Sequence, residues 1–269
     1  MLNNIIKISK EAGSIIREGF GKNNVVEFKT DEGNLVTEID KKAEKTIIDF
    51  VIKNYPTDSI LAEEGGNKYG TSENLWVIDP LDGTTNYTHG LPIFSVSIGV
   101  IRKKEIIAGV VYDVMNDIAY LAEKGSGAFA NEKRIEVSSN SKLGRSLLAT
   151  GFAYNIKENP EHTFEKFAAI TKSVRSVRRL GSAALDICHV AKGIYDGFWE
   201  VNLNPWDVCA GMIISKEAGG SITDFTGNET DIYSKQILVT NGKITESLKN
   251  LLNPDFPLEN LPSGQTICK

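Results

Sequence analysis

The sequence predicts a mixed α/β protein in which sheets and helices are stacked in layers. Apolar residues recur at helical spacing in two N-terminal segments, alternate with polar residues through the middle, and form short strand-like runs between helical segments in the second half. Helices and sheets bury their apolar faces against one another, which produces layers. We expect a single domain over residues 1–269, with a candidate internal seam near residues 138–146.

The N-terminal region is predicted to contain two helices. Residues 4–20 carry apolar side chains every three or four positions, and glycines close the segment. A second helix is expected over residues 37–54, because Thr37 is a favourable cap and Asp40, three residues later, completes a capping box. Between the helices, residues 25–29 are predicted to form a short strand.

Strands dominate the middle of the chain and alternate with helices after it. Alternating apolar and polar residues are typical of half-buried strands joined by polar turns. The predicted strands of the middle cover residues 59–62, 75–78, 94–101, 106–113 and 117–123, with a hairpin over residues 128–137. In the second half, strands are predicted over residues 147–150, 195–201, 222–225 and 237–240, and helices over residues 160–172, 182–192, 205–218 and 244–252.

The composition is that of an ordinary globular protein. The chain is 41% hydrophobic and 24% charged, and its net charge of −5 provides no basic excess for a nucleic-acid partner. The N-terminal segment is amphipathic rather than a basic stretch followed by a solid apolar run, so we expect no signal peptide. Because no run of about eighteen apolar residues predicts a membrane span, we expect a cytoplasmic protein without a membrane partner.

One stretch, residues 76–86, joins a buried strand to acidic and hydroxyl residues. It reads Trp-Val-Ile-Asp-Pro-Leu-Asp-Gly-Thr-Thr-Asn. The apolar start is suited to a buried strand, which we expect to stop at Asp79. Asp79 and Asp82, three residues apart around a turn, could hold two metal ions between them, with the carbonyl of Leu81 as a further ligand.

Further acids stand at the boundaries of predicted elements. Glu63 follows a strand, Asp207 opens a helix, and Asp40 and Glu200 lie at comparable positions. Three histidines and three cysteines share no metal-ligand spacing, and we expect reduced thiols. Oxygen ligands without imidazole or thiolate favour Mg²⁺, or Mn²⁺, over zinc.

A phosphate site is predicted beside these acids. If a helical turn begins after Asp82, the amides of Gly83, Thr84 and Thr85 point outward, and unpaired amides of this kind bind phosphate. Paired metal ions beside such a cradle are the arrangement that hydrolyses phosphate esters, because one ion activates water while the other stabilises the leaving oxygen.

Each of these residues also has a purely structural explanation. Asp40 suits a capping box, Asp207 favours the dipole of a helix start, and Asp82 followed by glycine is a common turn pair. Glu63 by itself is most often a solvated loop residue. These explanations would all have to hold at once, and every acid lies at an element boundary, so we favour a shared site.

Several motifs of the chain occur together in one known family. They are residues 76–86, the Pro-Trp-Asp, Ala-Gly and Glu-Ala-Gly-Gly motifs within residues 205–220, Asn-Leu-Val-Thr at 34–37 and Gly-Ser-Ala-Ala at 181–184. In this combination the chain resembles the inositol monophosphatase family of Mg²⁺-dependent, lithium-sensitive phosphatases. The resemblance implies the αβαβα five-layer sandwich of the sugar phosphatases, usually as a homodimer.

The resemblance assigns metal ligands to individual positions. It implies that Glu63, Asp79 and the Leu81 carbonyl hold a first Mg²⁺. Asp79, Asp82 and Asp207 would hold a second, and Glu63 would help a weaker third ion that arrives with substrate. The chain departs from the animal enzymes beside this set, since their usual Gly-Glu-Glu-Ser reads Ala-Glu-Glu-Gly over residues 62–65 here.

The resemblance also implies roles in catalysis and substrate binding. Thr84, paired with Asp40, would orient the attacking water. The backbone amides of Gly83, Thr84 and Thr85 would bind phosphate, and Lys29 falls where the family has a basic residue near the site. The remaining substrate contacts are expected from Gly181, Ser182, Ala183, Glu200 and Asp207.

The activity implied by the resemblance is hydrolysis of a small polyol monophosphate such as myo-inositol 1-phosphate. Fructose-1,6-bisphosphatase activity, alone or alongside the first, is the leading alternative. A 3′-phosphoadenosine 5′-phosphate phosphatase fits less well, because those enzymes follow Asp-Gly-Thr with Lys-Glu rather than with Thr85 and Asn86. A regulatory binding protein is a further alternative, since some bacterial relatives bind transcription machinery, but the complete set of acids argues against a purely binding role.

Overall fold

The structure is a computed structural model that describes residues 1–22, 26–28 and 35–252. The loop predicted over residues 30–34, the motif residue Asn34, Lys29 and Cys268 lie outside the described residues. No helix in the described ranges has both the length and the apolar character needed to cross a membrane.

A larger sheet is formed by the middle of the chain. It follows the short antiparallel pair β1 (Val26–Phe28) and β2 (Leu35–Thr37). Its strands, in their spatial order, are β3 (Ser59–Ala62), β4 (Asn74–Asp82), β5 (Ser95–Arg102), β6 (Glu105–Asp113), β7 (Ile118–Glu123), β8 (Ala128–Ala130) and β9 (Lys133–Ile135). Only the β3–β4 pair in this sheet is parallel, and the other neighbours are antiparallel.

A smaller, mixed sheet is formed by the second half. Its strands, again in spatial order, are β11 (Ser176–Arg178), β10 (Leu147–Thr150), β12 (Gly197–Val201), β14 (Gln236–Thr240) and β13 (Ser221–Thr223). The predictions missed β11, because three residues between arginines carry no recognisable strand period and lie at the sheet edge. The other predicted strands of this half are confirmed, with shorter bounds for β12 and β13.

The helices form layers outside and between the two sheets. They are α1 (Leu2–Gly19), α2 (Glu38–Asn54), α3 (Thr84–Thr88), α4 (Thr163–Ser173), α5 (Ala183–Ala191), α6 (Pro205–Glu217) and α7 (Thr245–Leu252). Helices α1 and α2 pack on the outer face of the larger sheet, and α4 and α7 cover the outer face of the smaller one. Helices α5 and α6 lie between the sheets. The predicted αβαβα sandwich is confirmed.

Helix α6 approaches the larger sheet closely because small residues face each other across the contact. Its side chains are buried over most of its length, as expected for a helix between two sheets. Gly109 of β6 leaves so little room that a Cβ there would lie 2.9 Å from the Cα of Ala210. Gly99 of β5 makes a similar approach to Cys209. These contacts hold α6, whose first turn carries Asp207, close against the larger sheet.

Strand β4 is longer than predicted. We expected the strand to stop at Asp79, but it pairs with β5 from Asn74 to Asp82. The register shifts between Asp79 and Asp82, where Pro80 lacks an amide and cannot join the ladder. The irregular end of β4 therefore stays within the sheet while both carboxylates turn out of it.

Candidate active site

A pocket of about 160 Å³ lies where the irregular end of β4 faces the smaller sheet and the start of α6. Its walls come from five separate segments of the chain. The predicted site residues that line it are Glu63, Asp79, Leu81, Asp82, Gly83, Thr84, Thr85, Gly181, Ser182, Ala183, Glu200 and Asp207. The remaining predicted residue, Asp40, lies behind the wall in contact with Thr84.

Asp79 is held by its own turn. The amide of Leu81 donates to Asp79 Oδ1 at 2.9 Å, a local bond that orients the carboxylate. The carbonyl of Leu81 accepts the hydroxyl of Thr84 at 3.0 Å. Asp79, Leu81 and Thr84 are thus fixed relative to one another by bonds within one turn.

Asp82 is anchored from across the chain. Its Oδ2 atom accepts hydrogen bonds from the Ser182 hydroxyl and, at 3.0 Å, from the amide of Ala184. The Ser95 hydroxyl is 3.4 Å from the same oxygen. Ser182, which the resemblance assigned to substrate, therefore also bonds to a carboxylate of the predicted metal set.

Helix α2 presents Asp40 to Thr84. The predicted capping box is confirmed, since Asp40 Oδ2 accepts from the amide of Thr37 at 3.0 Å and the Thr37 hydroxyl bonds to the same atom. Its other oxygen, Oδ1, accepts from the Thr84 hydroxyl at 3.2 Å. Asp40 therefore serves both the helix cap and the pocket, so the structural and functional explanations are not exclusive.

Gly83 shapes the turn that begins α3. Its φ of +98° is a conformation that L residues rarely adopt, and a Cβ would lie 3.0 Å from the Ile93 carbonyl oxygen. The amides of Gly83, Thr84 and Thr85 donate no hydrogen bond to any other part of the described chain. They are the unpaired amides expected at the start of a helical turn.

Glu63 follows β3 and is positioned through the residues after it. Glu44 of α2, buried against this turn, accepts the amide of Glu64 at 2.7 Å and that of Gly66 at 3.1 Å. The amide of Glu63 itself donates to the Ile78 carbonyl of β4 at 3.2 Å. These bonds place the Glu63 side chain beside Asp79.

Asp207 and Glu200 come from the second half of the chain. Asp207 Oδ2 accepts the amide of Asn204 at 2.7 Å in a capping box, and its side chain also reaches the pocket. Glu200 is buried on β12, and a Cβ on Gly151 would collide with its carboxylate. Glycine at 151 therefore leaves the space that the Glu200 side chain occupies.

The acids of the pocket raise one another's pKa values. Burial, followed by the charges of Glu63, Asp82 and Asp207, raises the pKa of Asp79 well above its usual range. Burial is also the largest cause for Asp82, whose pKa rises to about 6. The pKa values of Asp207 and Glu200 are raised well above normal by burial and by neighbouring carboxylates.

This donor set fits a hard dication. Carboxylates that are buried together repel one another, and a divalent cation among them would remove that repulsion. Within the described ranges, no three acidic, histidine or cysteine side chains already converge as a finished metal cage.

Two charged residues of the pocket were missed by the sequence analysis. Asp186 of α5 is buried with Oδ1 unpaired among the described residues, and Arg179 is the one cationic residue among those described in the lining. Arg179 directly follows β11, a strand that was not predicted. Asp186 lies among the mostly apolar buried residues of α5, so its surroundings in the sequence indicate a core helix. The Gly-Ser-Ala-Ala motif between them was their nearest sequence signal.

The fold and the pocket define a phosphatase of the layered sugar-phosphatase class. Residues 1–257 match the inositol monophosphatase family. The chain belongs to the inositol monophosphatase family. This is a family of phosphatases that are generally Mg²⁺-dependent.

Curated relatives resemble the chain over nearly its whole length. The fructose-1,6-bisphosphatase/inositol-1-monophosphatase of Thermotoga maritima is 40% identical over 249 residues, which cover 92% of this chain and 94% of that protein. The Nus factor SuhB of Pseudomonas aeruginosa is 38% identical over 263 residues, which cover 96% and 97%. The relatives therefore carry more than one functional name.

Solved structures confirm the fold. The extragenic suppressor protein suhB from Bartonella henselae has a TM-score of 0.90 at 36% identity, covering 94% of this chain and 98% of that one. The inositol monophosphatase from Anabaena has a TM-score of 0.84 at 40% identity, covering 93% and 94%. Similarity at this level extends to the arrangement of both sheets.

Proposed function

We propose that the chain is a Mg²⁺-dependent phosphomonoester hydrolase that releases inorganic phosphate from an inositol monophosphate. The observation that carries the proposal is that Glu63, Asp79, Asp82 and Asp207 line one pocket beside the unpaired amides of the Gly83 turn. Carboxylate oxygens are ligands that Mg²⁺ prefers, and unpaired backbone amides donate hydrogen bonds to the oxygens of a phosphate that would also contact the ions.

The ligand assignment follows the sequence prediction. Glu63, Asp79 and the Leu81 carbonyl are proposed for one ion, and Asp79, Asp82 and Asp207 for a second. A weaker third ion near Glu63 and replacement by Mn²⁺ belong to the same proposal. When bound, the ions supply water activation and charge neutralisation at the phosphate and the leaving oxygen.

The chain's own groups orient the reactants. Thr84 shares its single hydroxyl hydrogen between Asp40 Oδ1 and the Leu81 carbonyl, which leaves its oxygen lone pairs to accept from water. The proposal assigns the amides of Gly83, Thr84 and Thr85 to the phosphate oxygens. Positioned groups of this kind hold water and phosphorus in line and lower the entropic part of the barrier.

The substrate's hydroxyl groups are assigned to the second half of the pocket. Glu200 offers a carboxylate that accepts from hydroxyls, and the backbone of Gly181 and Ala183 borders the same space. Ser182 borders this space too, and its hydroxyl also holds the carboxylate of Asp82 in position. A small polyol monophosphate supplies donors to the carboxylates and phosphate oxygens to the amides.

A second candidate function is hydrolysis of fructose 1,6-bisphosphate, alone or beside inositol phosphate. Arg179 in the pocket lining and the dual name of the Thermotoga relative favour it. Other relatives are named Nus factors, and a regulatory role is therefore a further alternative. Lithium inhibition and a homodimer complete the proposal, as the family resemblance implies them.

The test is a panel of phosphate esters assayed with Mg²⁺, with and without lithium. We expect phosphate release from myo-inositol 1-phosphate, loss of most of it in Asp82→Asn, and inhibition by EDTA. Full turnover in EDTA would refute the metal mechanism. Negligible turnover on the whole panel, together with a stoichiometric macromolecular partner in a pull-down, would favour the regulatory alternative.

A further inference from the structure

We propose that Arg179 binds a second anionic group of the substrate, so that the pocket takes sugar bisphosphates by a contact that monophosphates lack. The inference rests on the proposed phosphatase function and deepens it. Neither the sequence motifs nor the ligand assignment above gives Arg179 a role. Its position in the pocket lining and its guanidinium, which has no hydrogen-bond partner among the described residues, carry the argument.

The backbone beside Arg179 is anchored to the predicted phosphate turn. Asn86 of α3 donates from Nδ2 to the Leu180 carbonyl at 2.7 Å and to the Ile93 carbonyl at 2.8 Å. Gly181 then passes so close to Asn86 that a Cβ there would lie 3.1 Å from its Oδ1 atom. The Arg179 side chain therefore starts from a fixed point next to the reacting end of the pocket.

The guanidinium of Arg179 is available to a ligand. It lies over the Phe152 ring, with 5.6 Å between its central carbon and the ring centroid, and forms no hydrogen bond or ion pair within the described part of the chain. Its neighbour Arg178 instead donates to the Ser176 hydroxyl at 2.6 Å and the Val177 carbonyl at 3.1 Å, outside the pocket lining. Of this pair, only Arg179 lacks a hydrogen bond within the described chain, and its charge partly offsets the rise in the pKa values of the buried carboxyls of Glu200 and Asp186.

The ligand that suits this group is an anion. A guanidinium has only donors, in a planar fork that matches two oxygens of a phosphate. Sugar hydroxyls satisfy a carboxylate such as Glu200 by donating to it, but they give the guanidinium only a weak, neutral acceptor. Stacking on Phe152 holds the fork in place and reduces the entropy lost when it binds.

The inference differs from a role for Arg179 at the reacting phosphate. The phosphate group that is hydrolysed is assigned to the amides of Gly83, Thr84 and Thr85, and every phosphate ester carries such a group. A contact to the second group operates only with a bisphosphate. Two substrates that share one sugar and differ only in that group therefore separate the two roles.

The test compares fructose 1,6-bisphosphate with fructose 1-phosphate in four proteins: wild type, Arg179→Ala, Arg179→Lys and Arg178→Ala. We expect Arg179→Ala to lower kcat/KM for the bisphosphate by about 10- to 100-fold, mainly through KM, as for loss of a charged hydrogen-bonded contact. The monophosphate should change less than about threefold. Arg179→Lys should recover part of the loss, and Arg178→Ala should match wild type on both.

Three outcomes would overturn the inference. They are an equal loss on both substrates, no loss on either, and a wild-type enzyme that hydrolyses monophosphates while rejecting the bisphosphate. The last would leave the proposed phosphatase function intact. Wild-type protein that releases phosphate from no ester at all would instead refute the proposed function, so the two failures are distinguishable.

Discussion

The hydroxyl of Thr84 donates to the buried carboxylate of Asp40 at 3.2 Å, which joins the turn after β4 to the first turn of α2. The same hydroxyl lies 3.0 Å from the Leu81 carbonyl. Because a hydroxyl has one hydrogen and two lone pairs, a Thr84 that donates to these acceptors is left to accept from a water in the pocket. The contact thus sets the orientation of a group that lines the reaction space.

Removing that hydroxyl tests its role in turnover. Thr84→Val keeps the branched shape but loses the oxygen, and we expect kcat to fall by about 100-fold or more, as for loss of a positioned proton-handling group. Phosphate release from myo-inositol 1-phosphate at saturating Mg²⁺ is the measurement. Thr84→Ser, which keeps the hydroxyl, is the matched control and should stay within about tenfold of wild type. Equal rates in Thr84→Val and wild type would remove Thr84 from the mechanism.

Glu44 provides a second test on the same face of α2, one turn after Asp40. Its carboxylate accepts the amides of Glu64 and Gly66, directly after Glu63. In Glu44→Gln one acceptor oxygen becomes a donor, so one amide loses its partner. We expect the free energy of unfolding to fall by about 1.5–3 kcal/mol, the range for a hydrogen bond to a charged group. Thermal denaturation measures this.

The Glu44 variant should also need more Mg²⁺ for half-maximal activity, because Glu63 is held less firmly. Metal titration followed by the rise in melting temperature gives the same information without turnover. Glu38→Gln is the control, since Glu38 is exposed on the first turn of the same helix. A melting temperature and a Mg²⁺ requirement that match wild type in Glu44→Gln would show that Glu44 does not position Glu63.

Much of this site was predictable because its signals are local. The capping box of Thr37 and Asp40, the glycine turn at Gly83 and the acids at element ends depend on residues a few positions apart. The same holds for the layered fold, whose helices and strands follow from apolar periodicity. The prediction of a single domain and the roles assigned to the site residues stay predictions.

The missed features depend on contacts between distant parts of the chain. Ser182 bonds to Asp82, 100 residues away, and Glu44 bonds to a turn 20 residues later. Neither contact has a sequence period. Arg179 was missed for a related reason, because β11 is a short edge strand whose place beside β10 is set by tertiary packing. Only the folded chain brings Ser182 and Arg179 into the pocket lining and Glu44 against the turn after Glu63.

Gly83 offers a test of the turn geometry. Gly83→Ala would place a side chain at a φ of +98° and 3.0 Å from the Ile93 carbonyl oxygen. We expect a loss of stability of about 1–3 kcal/mol from backbone strain. Turnover should fall too, because the three amides move. Thermal melting and phosphate release are the measurements.

Gly90→Ala is the matched control for Gly83→Ala. Gly90 also has a positive φ, +75°, but nothing lies within 4 Å of its added Cβ. The Gly90→Ala variant should therefore lose some stability and keep the turnover of the wild type. If both variants lost turnover equally, backbone strain in this region, rather than the amides of the Gly83 turn, would explain the effect.

The raised pKa values of the pocket acids predict how stability depends on pH without Mg²⁺. An acid whose pKa is higher in the folded than in the unfolded chain holds more protons when folded, so the free energy of unfolding falls as pH rises from its unfolded pKa through its folded pKa. For Asp82 that window runs from about 4 to about 6. For Asp79, Glu200 and Asp207 the free energy of unfolding changes in the same direction, since burial and neighbouring charges raise their pKa values too.

Mg²⁺ binds the ionised acids and competes with protons for them. The rise in melting temperature that Mg²⁺ causes should therefore be larger at about pH 7.5 than at about pH 5.5. His189 contributes in the opposite direction, because burial lowers its pKa in the folded chain, and comparing the melting temperatures with and without Mg²⁺ at each pH cancels that contribution. Asp82→Asn, which carries no titrating group at that position, should flatten the metal-free profile. A Mg²⁺ effect that is the same at both pH values would show that the pocket acids are not its ligands.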